Sequence, residues 1–152
     1  RTGRIIGARI VAATAMPIQR ARKGNEVDVY AVSEWLSRVV MEHYEHDPVA
    51  LLEEPGGSKS AKAATSMAGS FHTLRTLLTM ERIPWDRVTP QAWQRVMLPG
   101  AQSGQTKARA REAALRLWPD WDFRATPRCT TPHDGIIDAA LIAEFGRRRS
   151  DG

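Results

Sequence analysis

Two aspartates, Asp134 and Asp138, lie four positions apart in an otherwise apolar stretch of the sequence. On a helix this spacing places both carboxylates on one face, about one turn apart. Two like charges so close destabilise a helix unless a cation lies near them, and Mg²⁺ takes one or two carboxylates while keeping waters for phosphate oxygens. The alternative is that Asp134 complements the helix dipole, which does not explain Asp138. The pair therefore indicates a candidate metal site.

Two further carboxylates, Glu53 and Glu54, come after a compact apolar run at residues 48–52 and precede Pro55. Open α/β sheets bind ligands just beyond the carboxyl ends of their strands. Side chains alternate along a strand, so the two glutamates point to opposite faces. Either one of them serves a functional site or both only mark where the strand meets solvent.

His133 directly precedes Asp134, and Cys129 is the only cysteine. The histidine is a candidate proton carrier beside a metal, or equally an exposed residue at a helix start. A single cysteine excludes an internal disulfide, cannot form a zinc site by itself and fits a reducing compartment.

The chain is basic, with 22 Lys and Arg against 17 Asp and Glu and a formal net charge of +5. A basic balance makes a polyanion such as nucleic acid a plausible partner, although a solvated face is the plain alternative for each basic cluster. The basic residues concentrate at positions 20–23, 59–62, 95–116 and 147–149.

The composition is that of a soluble globular protein, with 42% apolar and 26% charged residues. A length of 152 residues fits one domain with its own core. The apolar runs are too short to span a bilayer, and no signal peptide is visible.

The elements that must position these residues alternate between strands and helices. Strands are predicted on both sides of Gly7-Ala8 within residues 4–18, at 48–54 as a buried central strand, and at 83–89. Helices are predicted over 30–44, through the apolar positions 67, 71, 74 and 78, and over 91–97, 107–118 and 133–146. Residues 19–28 read as a loop or as a further strand. The order favours an α/β domain with a mixed sheet covered by helices.

Three motifs in this order carry a family resemblance: VTPQAW at residues 88–93, ALRLWP at 114–119 and DAALIA at 138–143. With the strand that ends in Glu53, they make the chain resemble the RuvC-type Holliday junction resolvases, closest to the bacterial, phage and chloroplast branch. The resemblance covers residues 2–146.

The resemblance implies an RNase H-like fold, a mixed five-stranded sheet flanked by helices in a single domain. It also implies a homodimer that cuts four-way DNA junctions with two Mg²⁺ or Mn²⁺ ions. Glu53, Asp134 and Asp138 match the family's metal ligands, and His133 lies beside them as a further catalytic candidate. In the mechanism that the resemblance implies, backbone phosphates would be contacted by Lys59, Lys62, Arg75, Lys107, Arg109 and Arg111. The expected location is the cytoplasm of a bacterium, with a phage gene as one source, or alternatively the chloroplast.

One departure from the family concerns its first strand, which carries a catalytic Asp. Residues 1–6 resemble the stretch that comes directly after that Asp, and Asp28 stands in the wrong context to replace it. We expect the missing carboxylate before Arg1. The alternatives are a catalytically incomplete DNA-binding module on the same fold, or an RNase H-like nuclease with another nucleic-acid substrate.

Overall fold

A computed structural model describes residues 10, 12–21, 24–43, 45, 47–57 and 60–150. These residues form a mixed α/β structure with four strands and five helices. The chain divides into two compact units, one of residues 16–92 and the other of residues 1–15 with 93–152. Within the described ranges, no helix is long and apolar enough to cross a membrane.

The first unit opens with a hairpin of two strands, β1 (Ile18–Ala21) and β2 (Gly24–Val27). They pair antiparallel, with Ile18 opposite Val27. A further strand was one of the two readings of this polar stretch, and the hairpin confirms it. The strands predicted around Gly7-Ala8 fall mostly outside the described residues, and residues 12–17 are irregular.

Helix α1 (Val29–Glu42) begins directly after the hairpin, one residue earlier than predicted. The Asp28 side chain accepts a hydrogen bond from the Ala31 N–H at 3.0 Å. A side-chain oxygen in this position satisfies one of the backbone donors that a helix start leaves unpaired. Asp28 is therefore explained as the N-cap of α1.

A parallel strand pair lies at the centre of the first unit. Strand β3 (Ala50–Glu53) pairs with β4 (Trp85–Val88), and helix α2 (Ala61–Met80) makes the crossover and contacts both. The predicted burial of β3 is wrong, since its first three residues are only half-buried. Among the described strands β3 pairs with β4 alone, so it is not the centre of a wide sheet there.

Helix α3 (Pro90–Met97) begins at the end of the first unit and continues into the second. The Thr89 hydroxyl accepts a hydrogen bond from the Ala92 N–H at 3.3 Å. This confirms the predicted pairing of an N-cap threonine with a proline in the first turn, where the missing N–H costs nothing.

The second unit is built on two helices, α4 (Thr106–Leu117) and α5 (Asp134–Ser150), which pack against each other. The predicted bounds of α4 are confirmed within one residue at each end. The buried side chains of this unit are Trp93, Met97, Leu98, Ala110, Ala113, Ala114, Trp118, Phe123, Ile136, Ile137, Leu141, Ile142, Glu144 and Phe145.

Helix α5 does not stop at Gly146 as predicted but continues to Ser150. The physical reason is an ion-pair cluster across the glycine. Glu144 is buried, and its carboxylate accepts hydrogen bonds from Arg147 at 2.8 and 3.0 Å and from Arg148 at 2.7 Å. These i,i+3 and i,i+4 pairs hold the last turn in helical form.

The segment between α4 and α5 has no regular structure, as predicted, but one arginine orders it. Arg124 binds both oxygens of Asp122, with a shortest distance of 2.8 Å, and also donates to the carbonyls of Pro127 and Cys129. Shortly after this, the His133 N–H donates to the carbonyl of Phe123 at 2.8 Å. The loop thereby fixes where α5 begins.

Candidate functional site

Asp134, the first residue of α5, is held by two cations of α4. Its Oδ1 accepts from Arg111 Nε at 3.1 Å and from Nη2 at 2.7 Å, while Lys107 Nζ lies 3.1 Å from Oδ2. Lys107 and Arg111 are four positions apart and therefore lie on the same face of α4. Both carboxylate oxygens of Asp134 are thus engaged in ion pairs.

The electrostatics of Asp134 result from this arrangement. The Arg111 guanidinium, and then the Lys107 ammonium, lower the pKa of the Asp134 carboxyl, while partial burial opposes them more weakly. The position at the start of α5 adds the favourable end of the helix dipole. Asp134 is therefore ionised at neutral pH, and its charge is balanced within the second unit.

His133 caps α5 through its side chain. The Ile136 N–H lies 3.3 Å from His133 Nδ1 and 3.1 Å from the His133 carbonyl oxygen. His133 Nδ1 therefore accepts a hydrogen bond from the first turn of α5, shared with the carbonyl oxygen of the same residue. This geometry agrees with the second sequence-based interpretation of His133, an exposed residue at the start of a helix.

Gly135 is a residue of this site that the sequence reasoning missed. A Cβ at this position would lie 3.1 Å from His133 Cε1 and 3.3 Å from Nδ1. These distances are tighter than ordinary van der Waals contact, so a side chain here would press on the capping ring. A glycine inside a predicted first helical turn is the signal that points to it, since glycine is otherwise unfavourable there.

Asp138 lies one turn after Asp134 on α5 and is half-buried beside the buried Ile137. The predicted helix therefore places both aspartates at the i,i+4 spacing on which the metal-site hypothesis depends. Asp138 remains the carboxylate that helix capping does not explain.

Glu53 and Glu54 end the parallel pair of the first unit. Glu53 is exposed and is opposite Val88 in the register, and Glu54 continues the ladder through its N–H to the Val88 carbonyl at 2.8 Å. The Glu54 carboxylate pairs with Arg87 at 3.3 Å. Glu54 thus has a structural explanation, and Glu53, which is exposed at the end of the strand, stays the predicted functional carboxylate.

The donor chemistry of Glu53 and Asp138 suits a hard divalent cation, because both are carboxylates and Mg²⁺ prefers oxygen ligands. Glu53 belongs to the first unit and Asp138 to the second. In the described part of the chain, no three His, Cys, Asp or Glu side chains gather into a metal-binding group.

The predicted phosphate-contacting residues are distributed over two helices. Lys62 and Arg75 are exposed on α2, about 20 Å apart along its axis. On α4, Arg109 is exposed and pairs with Glu112 at 3.4 Å. Lys59 lies outside the described residues.

The partnership of Lys107 and Arg111 with Asp134 was not predicted. The sequence does contain a signal for it, a cation pair at i,i+4 on one helix and an acidic residue at the start of another. Which carboxylate meets which cation depends on how α4 and α5 pack, and the spacing along either helix does not contain that information.

Solved structures similar to this chain include two of RuvC from Thermus thermophilus. One is a Thermus thermophilus RuvC structure, with a TM-score of 0.54 and 9% identity over 90% of this chain and 87% of that chain. The fold is RuvC-like. A T. thermophilus RuvC in complex with Holliday junction substrate has a TM-score of 0.49 and 14% identity over 81% of this chain and 70% of that chain. No family model and no curated protein matches this sequence.

Within this RuvC-like fold the candidate residues come from two kinds of element. Glu53 stands at the carboxyl end of a parallel strand, and Asp134 and Asp138 stand on the first turns of the last helix. The roles of these residues as metal ligands stay predictions.

Proposed function

We propose that this protein is a structure-selective endonuclease that cleaves four-way DNA junctions by metal-assisted hydrolysis. The observation that carries the proposal is the placement of Glu53 at the end of β3 and of Asp138 on α5 within a RuvC-like fold. The basic composition supports a polyanionic substrate.

Glu53 and Asp138 are the residues we propose to hold divalent cations, with Mg²⁺ or Mn²⁺ as the expected ions. Such ions, when bound, would supply an activated water and stabilise the leaving 3′ oxygen. Asp134 was predicted as a further ligand. Both of its carboxylate oxygens are already in ion pairs, with Lys107 and Arg111.

Lys62, Arg75 and Arg109 are exposed and are proposed to contact backbone phosphates, as is Lys59. Contacts of this kind position a junction on the protein without reading its sequence. We also propose, from the family resemblance, a complete five-stranded sheet and a homodimer that carries one site for each of the two strands to be cut.

A cleavage assay on labelled DNA tests the function. A four-way junction, a linear duplex of the same sequence and an RNA–DNA hybrid are incubated with the protein and Mg²⁺. We expect cleavage of the junction only, and a loss of at least about 100-fold in Glu53→Gln and in Asp138→Asn. Glu54→Gln is the matched control, because its carboxylate pairs with Arg87, and it should retain activity.

Equal activity in Glu53→Gln and the wild type would contradict the site, and equal cleavage of all three substrates would contradict the substrate class. Preference for the RNA–DNA hybrid would instead support an RNase H-like nuclease with another substrate.

A second candidate function is a non-catalytic module that binds junctions without cutting them. It is favoured by one observation, that no three metal-ligating side chains gather among the described residues. Junction binding with a normal affinity, but without cleavage in either Mg²⁺ or Mn²⁺, would support this candidate.

A further inference from the structure

Asp134, one of the three carboxylates predicted as metal ligands, is engaged in ion pairs through both of its oxygens. Arg111 occupies Oδ1 through two N–H groups, and Lys107 approaches Oδ2. The Asp134 side chain is 33% exposed, against 80% for Lys107 and 42% for Arg111. The anion thus lies deeper than the two cations, which extend over it toward solvent.

We propose that Asp134 is a positioning residue that holds Lys107 and Arg111, the α4 cation pair, side by side for contact with DNA phosphates. The proposal deepens the proposed function, on which it rests for the identity of the ligand. It replaces the metal-ligand role predicted for Asp134.

The donor count of the α4 cation pair allows it to bind Asp134 and a phosphate together. Arg111 uses its Nε and one N–H of Nη2, which leaves the Nη1 edge, and an ammonium has more than one N–H to donate. A carboxylate that binds one side of a guanidinium therefore orients the group and leaves the N–H donors of the other side available to a phosphate.

Preorganisation is what Asp134 contributes. Long lysine and arginine side chains lose rotamer freedom when they bind a phosphate, and that cost weakens binding. In this protein Asp134 has already restricted both side chains, and the packing of α4 against α5 fixes where they lie. Two cations on one face of a helix then present donors at a defined spacing.

The direction in which Asp134→Ala changes the affinity for DNA tests the proposal. Replacing Asp134 with alanine removes a negative charge, which by electrostatics alone tightens DNA binding. If Asp134 positions the pair, Asp134→Ala instead weakens binding by about three- to tenfold. The measurement is the Kd for a fluorescent four-way junction, taken by anisotropy in EDTA so that no metal contributes.

Asp120→Ala is the matched control for the loss of charge. Asp120 is an acidic residue of the same unit, but it is exposed and lies just beyond the end of α4. This variant should bind the junction as tightly as the wild type or more tightly. Tighter binding by both Asp134→Ala and Asp120→Ala would overturn the proposal, since Asp134 would then act as a repulsive charge only.

Double variants test whether Asp134 acts through the two cations. Lys107→Gln and Arg111→Gln should each weaken binding and lower the slope of log Kd against log salt by about one. Adding Asp134→Ala to the double variant Lys107→Gln/Arg111→Gln should not weaken binding further, and it should tighten binding slightly if the lost negative charge has an effect. A full additional loss would show that Asp134 acts elsewhere and would overturn the proposal.

Asp134→Asn addresses the case in which the alanine variant does not fold. Asparagine keeps an oxygen that accepts from Arg111 but has no charge to hold Lys107. We expect a smaller loss of affinity, with the effect of Lys107→Gln abolished and that of Arg111→Gln retained. If both effects persist at their wild-type size in Asp134→Asn, the positioning role is refuted.

Metal binding separates this role from that of a ligand. Calorimetric titration with Mn²⁺ should give an affinity for Asp134→Asn within about twofold of the wild type, and no binding for Asp138→Asn. Loss of Mn²⁺ binding in Asp134→Asn would make Asp134 a ligand and overturn the proposal.

The two proposals fail in different ways. Wild-type cleavage by Glu53→Gln and Asp138→Asn would remove the proposed catalytic site but leave the coupling of Asp134 to the α4 cation pair, which is measured in EDTA. Normal loss of cleavage in those variants, together with no such coupling, would remove only the positioning role.

Discussion

At the scale of single residues, Gly135 and His133 are explained by each other. The His133 ring folds over the start of α5 to accept a backbone N–H, and a side chain at position 135 would occupy the space beside that ring. Glycine in a helix normally costs about 1 kcal/mol relative to alanine. The cap is what offsets this cost here.

A double-mutant cycle tests this dependence. In the wild type, we expect Gly135→Ala to change the free energy of unfolding little, because the helix propensity gained is offset by pressure on the ring. In His133→Ala the same substitution should stabilise the protein by about 1 kcal/mol, since no ring is present. Urea unfolding curves give both values. The same effect in both backgrounds would show that the ring and the glycine are independent.

Asp134 and Asp138 show how much of the candidate site could be predicted from the sequence alone. The spacing of Asp134 and Asp138 was sufficient to place both on one helix and to mark Asp138 as unexplained by capping. The spacing was not sufficient to predict which side chains surround each aspartate. Two cations from α4 reach Asp134, and that contact depends on helix packing between positions 23 residues apart for Arg111.

At the scale of elements, the end of α5 depends on one buried carboxylate. Glu144 is 3% exposed and binds Arg147 and Arg148, which extend the helix beyond Gly146. Hydrogen bonds from Arg147, and secondarily from Arg148, lower the pKa of Glu144 against the opposing effect of burial. A carboxyl whose pKa is lowered in the folded state stabilises that state only while it is ionised.

The stability that this cluster contributes should decrease as the pH falls, which is the direction that a lowered carboxyl pKa requires. Glu144 contributes its stability above the ordinary glutamate pKa of 4.5 and loses it as the pH falls through the lower folded value. We expect Glu144→Gln to destabilise the protein by about 1 kcal/mol at pH 7. Unfolding curves of both proteins should converge below pH 4.5. A difference that stays constant with pH would mean that packing, not charge, is lost.

The start of α1 provides a second test at this scale. Asp28 accepts from the Ala31 N–H, so Asp28→Ala should cost about 1 kcal/mol, whereas Asp28→Ser keeps a capping oxygen and should cost less. Thermal unfolding followed by circular dichroism measures both. Equal losses in the two variants would assign the effect to the charge of Asp28 and not to its cap.

Elements with a clear period and a clear cap were predictable, and those that depend on their neighbours were not. The Thr89-Pro90 signal located α3 correctly, because a cap is a local interaction. The end of α5 was misjudged because glycine was read as a stop signal, whereas ion pairs across it continue the helix. The burial of β3 was misjudged because an apolar run does not state how many strands lie beside it.

At the scale of the whole molecule, a basic chain places its candidate catalytic carboxylates among many cations. In the proposed function, the net charge of +5 would attract a polyanion over distance, while Glu53 and Asp138 would each repel phosphates at short range unless a metal ion binds them. The proposal thus assigns binding to the charge and the chemical step to the carboxylates.

This division predicts that binding and cleavage respond separately to metal removal. With EDTA in place of Mg²⁺, cleavage of the four-way junction should stop while binding remains measurable by anisotropy. The affinity should fall linearly with log salt, because phosphate contacts release counterions. Cleavage that continues in EDTA would exclude the proposed chemistry, and binding that is insensitive to salt would exclude the phosphate contacts.

The buried positions of α4 are three alanines, Ala110, Ala113 and Ala114, which are at most 4% exposed. Small side chains let two helices approach closely, and an aspartate is short. The small alanine side chains of α4 thus allow the short side chain of Asp134 to contact Lys107 and Arg111. In homologous sequences this face and residue 134 should then change together, with a larger residue at 110 or 114 accompanied by glutamate in place of the aspartate.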